Sequence, residues 1–239
     1  MPANIIKIEP ALERRYARKS KNRPQRKMEY RILVVCEGKK TEPNYFEEFK
    51  TYNRGTQVYD VEVKGLGDNT INVVDEAISL RDKKKGTNYE YDRVWAVFDK
   101  DSFSDERFNA AIDKADQNDI CCAWSNEAFE LWYLFHFHNR TTAMSRTEYK
   151  DAISDAVNKS AKYKTKNKKK KYTYKKNDPD NYKIMTTYGN QEQAIKWAEA
   201  GSKKYDDKRY AKHNPCTMVY KLVLQLIGKD KNLNKDLNK

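Results

Sequence analysis

Histidine and cysteine are scarce in this chain, with 3 and 4 residues among 239. The cysteines, at positions 36, 121, 122 and 216, form neither a C-x-x-C pair nor a zinc-ligand pattern. His136 and His138 are two apart, which on a helix points them to different sides, so they make poor zinc ligands. Reduced thiols buried in core strands are expected instead. No apolar run approaches the ~18 residues that cross a bilayer, and no apolar signal segment opens the chain. A cytoplasmic protein without membrane contact is therefore expected. A GxxxxGK[ST] phosphate loop is also missing, as is any internal repeat.

Positive charge, by contrast, is abundant. Against 35 Asp+Glu stand 48 Lys+Arg, a formal net charge of +13. Such an excess favours a polyanionic partner, nucleic acid or an anionic surface. The length suits one large domain, or a domain with an appendage.

Three regions follow from texture. Residues 1–28 are rich in Arg and Lys with few large apolar residues, and read as a basic, partly disordered arm or a short peripheral helix. Residues 29–140 read as the core. "YRILVVC", "VYDVEV", "RVWAVFD" and "ICCAW" are short β-type runs, and between them lie helical spacings. These start at Thr41, as N-cap with Pro43 in the first turn, at Thr70–Asp82, at Ser104–Gln117 and in "NEAFELWYLFHF". Strands alternating with helices predict an α/β fold with a mostly parallel sheet between helices. Residues 141–239 read as a helical extension, opened by a capping box at Ser145 and Glu148. Within it, residues 159–176 form a lysine- and tyrosine-rich loop.

The chemistry sits in two strand ends. In "ILVVCEGKKTEPNYFEEF", Glu37 follows a buried strand, and "FDKD" delivers Asp99 and Asp101 in the same way. Residues two apart on an extended chain share a face, so both aspartates are expected to reach one divalent ion. Neighbouring strands would bring Glu37 to them. Clustered carboxylates oppose one another's ionisation unless a cation joins them. An oxygen-only set favours Mg²⁺ or Mn²⁺. The bland alternative is an Asx turn or helix cap at Asp99 and Asp101, with Glu37 a solvated strand end.

The order strand-"EG", strand-"DxD" resembles the Toprim fold. "VCEGKKTEPNYF", "FDKDSF", "SNEAFELWYLFHF" and "NPCTMVYKLV" together resemble the RloB family of defence-associated Toprim proteins, over roughly Tyr30 to Gly228. The resemblance implies that Glu37 is a general acid/base or metal ligand and that Asp99 and Asp101 are metal ligands. It implies a second acidic ligand after the Glu-Gly pair, which Glu42 matches one position farther along. It also implies a partner ATPase, from which any ATP dependence would come. Glu127 or Glu130 would supply a further ligand; Glu130 is favoured because an unpaired charge inside an apolar helix is costly, with pairing to a core Lys or Arg as the alternative. Lys39 and Lys40 either hold a scissile phosphate or are solvated. In the basic tract, which is not part of the family pattern, Lys168, Lys169, Lys170 and Lys171 would follow phosphates while Tyr163, Tyr172 and Tyr174 stack on unpaired bases. An RNA substrate such as tRNA is consistent with such stacking. A solvated loop is the alternative.

Three functions remain open: a metal-dependent nuclease acting in antiphage defence, on RNA or on DNA; a nucleotidyl-transfer or topoisomerase-like enzyme; and a non-catalytic nucleic-acid-binding partner of an ATPase, with an ion held structurally. No zinc-binding primase module or evident nucleophilic tyrosine motif accompanies the cluster.

Overall fold

The computed structural model describes residues 29–50, 58–67, 70–101, 103–167 and 170–230. The expected basic arm, and Lys168 and Lys169, lie outside the described residues.

Four parallel strands and one short antiparallel strand make one sheet, in the order β2-β1-β3-β4-β5. The strands are β1 (Glu29–Cys36), β2 (Val58–Gly65), β3 (Arg93–Asp99), β4 (Cys121–Asn126) and β5 (Cys216–Thr217). The expected α/β architecture with a mostly parallel sheet is the observed one. Strand β1 is buried on both faces because its side chains alternate between two cores. Ile32, Val34 and Cys36 enter one core, and Leu33 and Val35 the other. Helices α2 (Thr70–Lys84) and α3 (Asp105–Gln117) cover the second face with Val73, Val74, Ala77, Phe108 and Ala111. Ser104 caps α3 by accepting from Arg107 N–H at 3.3 Å.

The first face carries α1 (Thr41–Glu47), α4 (Glu130–Phe135), and the later helices α5 (Tyr149–Lys159), α6 (Ala161–Asn167), α7 (Asn181–Tyr188), α8 (Gln191–Ser202) and α9 (Val219–Leu226). Helix α4 is buried along its whole length, as its unbroken apolar run after Glu130 requires. Tyr45 joins the layers: its ring meets Phe129 of the α4 approach at 5.6 Å, Trp132 at 6.5 Å and Tyr182 of α7 at 5.1 Å. The extension is thus packed into the same core as β1.

Several local expectations change. Thr41 is the first residue of α1 and Lys40 its cap. The Thr41 hydroxyl donates instead to the Lys176 carbonyl at 3.2 Å, so long-range pairing replaces the cap. The sheet takes its last strand from the C-terminal region, where two residues are too few to show a period. Cys36 and Cys216 are buried free thiols, whereas Cys121 and Cys122 are only half-buried, because β5 pairs with Ser125 and Asn126 and leaves the start of β4 uncovered.

The largest change is in the basic tract. Its first part is helix α6, and residues 170–176 are an extended strap across the first face. Both backbone groups of Tyr172 pair with the Asn158 side chain at 2.8 Å, and Tyr174 N–H donates to Ser154 Oγ at 2.9 Å. "KYTYKK" therefore alternates like an extended chain over residues 171–175: Tyr174 is buried and Tyr172 partly buried, while Lys171, Thr173 and Lys175 are exposed, as is Lys176 after them. Tyr163 packs on Tyr172 and Tyr188 at 6.2 and 4.9 Å. Tyr163 and Tyr174 are 7% and 3% exposed. Of the rings expected to stack on bases, Tyr163 and Tyr174 are instead committed to the core, and Tyr172 is partly buried against it with both backbone groups held by Asn158.

Burial of Tyr174 gives a stability test. Removing a large buried ring costs about 3 to 5 kcal/mol, and each kcal/mol lowers Tm by roughly 2 to 4 °C in a chain this size. Tyr174→Ala should lower Tm by that product in a thermal melt. A variant that melts with wild type and loses only nucleic-acid binding would restore the stacking role.

Candidate metal and phosphate site

The site lies where open α/β sheets bind ligands, at the carboxyl ends of the central strands. Glu37 follows β1 and keeps the ladder going: its N–H donates to the Val97 carbonyl at 2.9 Å. Its Oε2 accepts from the Asp99 N–H at 3.1 Å, so the two expected acids are joined directly across neighbouring strands. Helix α1 turns Glu42 back toward them, and α4 presents Glu130 from its first turn.

Glycine makes this approach possible. A Cβ on Gly38 would stand 2.1 Å from Glu42 Oε2, and one on Gly65 would stand 2.5 Å from the Gly38 carbonyl oxygen. The "EG" pair is therefore a carboxylate followed by the space that a second carboxylate fills. Gly67, at φ +69°, has the Lys39 side chain running over it, where a Cβ would meet Lys39 Cε at 2.3 Å.

The electrostatics are those of crowded acids. Asp99 is 5%, Glu42 5% and Glu130 4% exposed. Burial, then the charges of Glu42, Glu130 and Glu37, pushes the Asp99 carboxyl well above its usual range. Burial likewise raises Glu42, against the opposing pull of Lys176. Glu37 is pushed up to about 7, first by burial and then by Glu42 and Asp101. Glu42 Oε2 and Glu130 Oε2 are buried without a hydrogen-bond partner.

Two cations missed in the sequence stand among these acids. Arg146, in a 3-10 turn over Arg146–Glu148, pairs with Asp101. Lys176, at the end of the strap, lies 3.4 Å from Glu130 Oε1, which also accepts from the Tyr174 hydroxyl at 3.2 Å. The pairing alternative for Glu130 is thus realised on one of its oxygens. The expected shared face of Asp99 and Asp101 is not how they meet: β3 ends at Asp99, and Asp101 sits in a turn with φ +40°. Glu127 is no part of the cluster's ligand set. Its side chain accepts from Arg146 N–H at 3.0 Å and its carbonyl from Asp101 N–H at 3.1 Å. Motif spacing could not reveal Arg146 and Lys176 because both lie far along the chain.

Glu37, Glu42, Asp99 and Asp101 line one cavity of about 490 Å³, with Lys39 and Lys40 on its exposed rim. Neither lysine forms an ion pair among the described residues. Glu130 lines a neighbouring cavity of about 340 Å³. Among the described residues, no three acidic, His or Cys side chains are arranged to grip an ion as they stand. Arg146 sits on Asp101 and Lys176 on Glu130, so two of the five acids are engaged by cations of the chain. The donor chemistry nevertheless fits a hard divalent cation: every donor is oxygen, and two buried carboxylate oxygens lack partners.

The pH dependence of stability follows from Glu37. Between 4.5 and about 7 the folded chain keeps a Glu37 proton that the unfolded chain has released. The unfolded state then binds fewer protons, so this contribution falls as pH rises through the window and levels off above it. In metal-free buffer, the loss of Tm from about pH 5 to about pH 8 should be smaller in Glu37→Gln than in wild type. Parallel curves would mean that Glu37 titrates normally.

No helix among the described residues is long and apolar enough to cross a membrane. Comparison with curated proteins and with solved structures gives no match. The family model described as RloB-like protein matches residues 32–226, which takes in all five carboxylates, Arg146 and Lys176. The chain belongs to the RloB-like family.

Proposed function

We propose that the chain is a Toprim-type, divalent-metal-dependent endonuclease that cleaves phosphodiester bonds in nucleic acid, as an effector of antiphage defence. The observation that carries this reading is the convergence of Glu37, Glu42, Asp99, Asp101 and Glu130 at one sheet edge beside two exposed lysines that form no ion pair among the described residues. Asp99, Asp101, Glu42 and Glu130 would hold Mg²⁺ or Mn²⁺, which when bound stabilises developing charge on the phosphoryl oxygens. Glu37 is oriented by the Asp99 N–H, and its pKa of about 7 suits it to take up a proton near neutral pH. Lys39 and Lys40 would hold the scissile phosphate at the cavity mouth. The defence role and the partner ATPase rest on the family resemblance alone.

Preference for RNA depends on stacking tyrosines. With those rings in or against the core, the reading is for nucleic acid at large, with RNA such as tRNA and DNA tested side by side. Lys170, Lys171 and Lys175 on the outer face of the strap give the backbone a charged track that serves either.

Asp99→Asn should abolish Mg²⁺- or Mn²⁺-dependent cleavage while Tm in metal-free buffer holds or rises, because one member of a repelling cluster is gone. Sequencing of RNA and DNA ends from cells expressing wild type and Asp99→Asn identifies the substrate. Wild type that neither cleaves nor gains Tm with either ion, together with a destabilised Asp99→Asn, would favour the binding-module reading.

Neutralising Lys170, Lys171 and Lys175 should weaken binding and flatten its salt dependence. Each lysine that no longer neutralises a phosphate takes roughly 0.7 to 0.9 off the slope of log K against log salt. An unchanged slope would make the strap's outer face a solvated surface.

A further inference from the structure

Arg146 is built into the site more firmly than a surface ion pair requires. One residue, Glu127, grips both sides of the pair: its carbonyl accepts from the Asp101 backbone and its carboxylate from the Arg146 backbone. A capping box at Ser145 and Glu148 fixes the turn itself, with the Ser145 N–H donating to Glu148 Oε2 at 2.8 Å. The backbone is therefore held while the guanidinium remains accessible, at 41% side-chain exposure.

Position adds to this. Arg146 and Lys176 line both the cavity that holds Glu37 and Asp99 and the one that holds Glu130, so their side chains form the partition between the acids. Any divalent ion that engages Asp101 must compete with the guanidinium for that carboxylate. The Arg146 backbone is tied to Glu127 at the wall of this cavity, so a guanidinium released from Asp101 has the cavity within reach. There it meets the same space that Lys39 and Lys40 rim.

We propose that Arg146 binds the substrate phosphate, and that Asp101 holds it in reserve until a divalent cation takes that carboxylate. The inference rests on the nuclease reading above and assigns one residue's part in it. Its chemistry is that of the guanidinium fork, whose parallel N–H donors match two oxygens of a carboxylate or of a phosphate equally well. Charge balance points the same way. A dication on Asp101 takes over the carboxylate that Arg146 pairs with, and a phosphate supplies the negative partner the guanidinium then lacks. Metal and substrate would consequently bind with positive coupling through this side chain.

The test uses the full chain as wild type, Arg146→Ala and Arg146→Lys. It combines Mg²⁺ titrations followed by thermal shift with anisotropy of short fluorescent single-stranded RNA and DNA. Arg146→Ala should reach half of its Mg²⁺-induced rise in Tm at about tenfold lower Mg²⁺ than wild type, because the competitor is gone. It should also lose about 10²-fold in cleavage rate, and most of the Mg²⁺-dependent tightening of oligonucleotide binding. Arg146→Lys should keep a near-wild-type Mg²⁺ midpoint, since the point charge remains, but not the cleavage rate, since the fork does not. An Arg146→Ala midpoint equal to or above that of wild type, or unchanged Mg²⁺-dependent tightening, overturns the proposal while the nuclease reading stands. If wild type shows neither a Mg²⁺-induced rise nor cleavage, the nuclease reading falls and takes this inference with it.

Discussion

Carboxylates that share a low-dielectric site resist ionising together, and the architecture here is arranged around five of them. Strand ends and helix starts at the carboxyl edge deliver them: Glu37 after β1, Asp99 and Asp101 from the end of β3, Glu42 from α1, Glu130 from α4. Without counter-charge, burial of that group would be untenable. The two side chains that mitigate it, Arg146 and Lys176, both come from the C-terminal region. The α/β core supplies the negative charge, and the extension the positive pair.

This division explains why the extension is so closely tied down. Thr41 and Asn44 of α1 donate to the 176–177 segment at 3.2 and 3.4 Å, and Tyr174 reaches Glu130. These contacts place Lys176 over the acids to within a side chain's reach. The aromatic contacts of Tyr45 and Tyr182 perform the same service one layer deeper. A lysine on a free loop would pair with such a cluster only transiently, and the Asn158 clamp on Tyr172 converts it into a fixed part of the wall.

Much of this is legible in sequence because it is local. Strand β3 begins and ends where "RVWAVFD" does, Ser104 caps α3, and the Ser145–Glu148 box forms. Alternation of strands with helices predicts a parallel sheet but leaves open whether Glu37 and Asp99 end adjacent strands, which the β1–β3 pairing settles. What escapes is long-range. Thr41 looks like a cap when only its neighbours are considered, and its true partner is 135 residues away. The tyrosines of the basic tract look like a nucleic-acid face because lysine dominates the composition there. Their alternation with lysine is a strand's alternation, with one side buried, and composition hides a period of two. Glu130 stands out because a charge in an apolar helix demands a partner, and that argument holds on one oxygen and leaves the other open.

The order in which these parts leave the ribosome has a consequence of its own. Synthesis runs from the amino end, so β1, β3 and α4 emerge with their acids well before residues 146 and 176 are available. Until the strap has emerged and docked, the cavity lacks the part of its wall that Lys176 forms, and Glu130 lacks its cation. Closing it brings together groups more than a hundred residues apart, and pairings of such high sequence separation form late. The carboxylate cluster therefore gains its two C-terminal cations only after all five of its acids have been made.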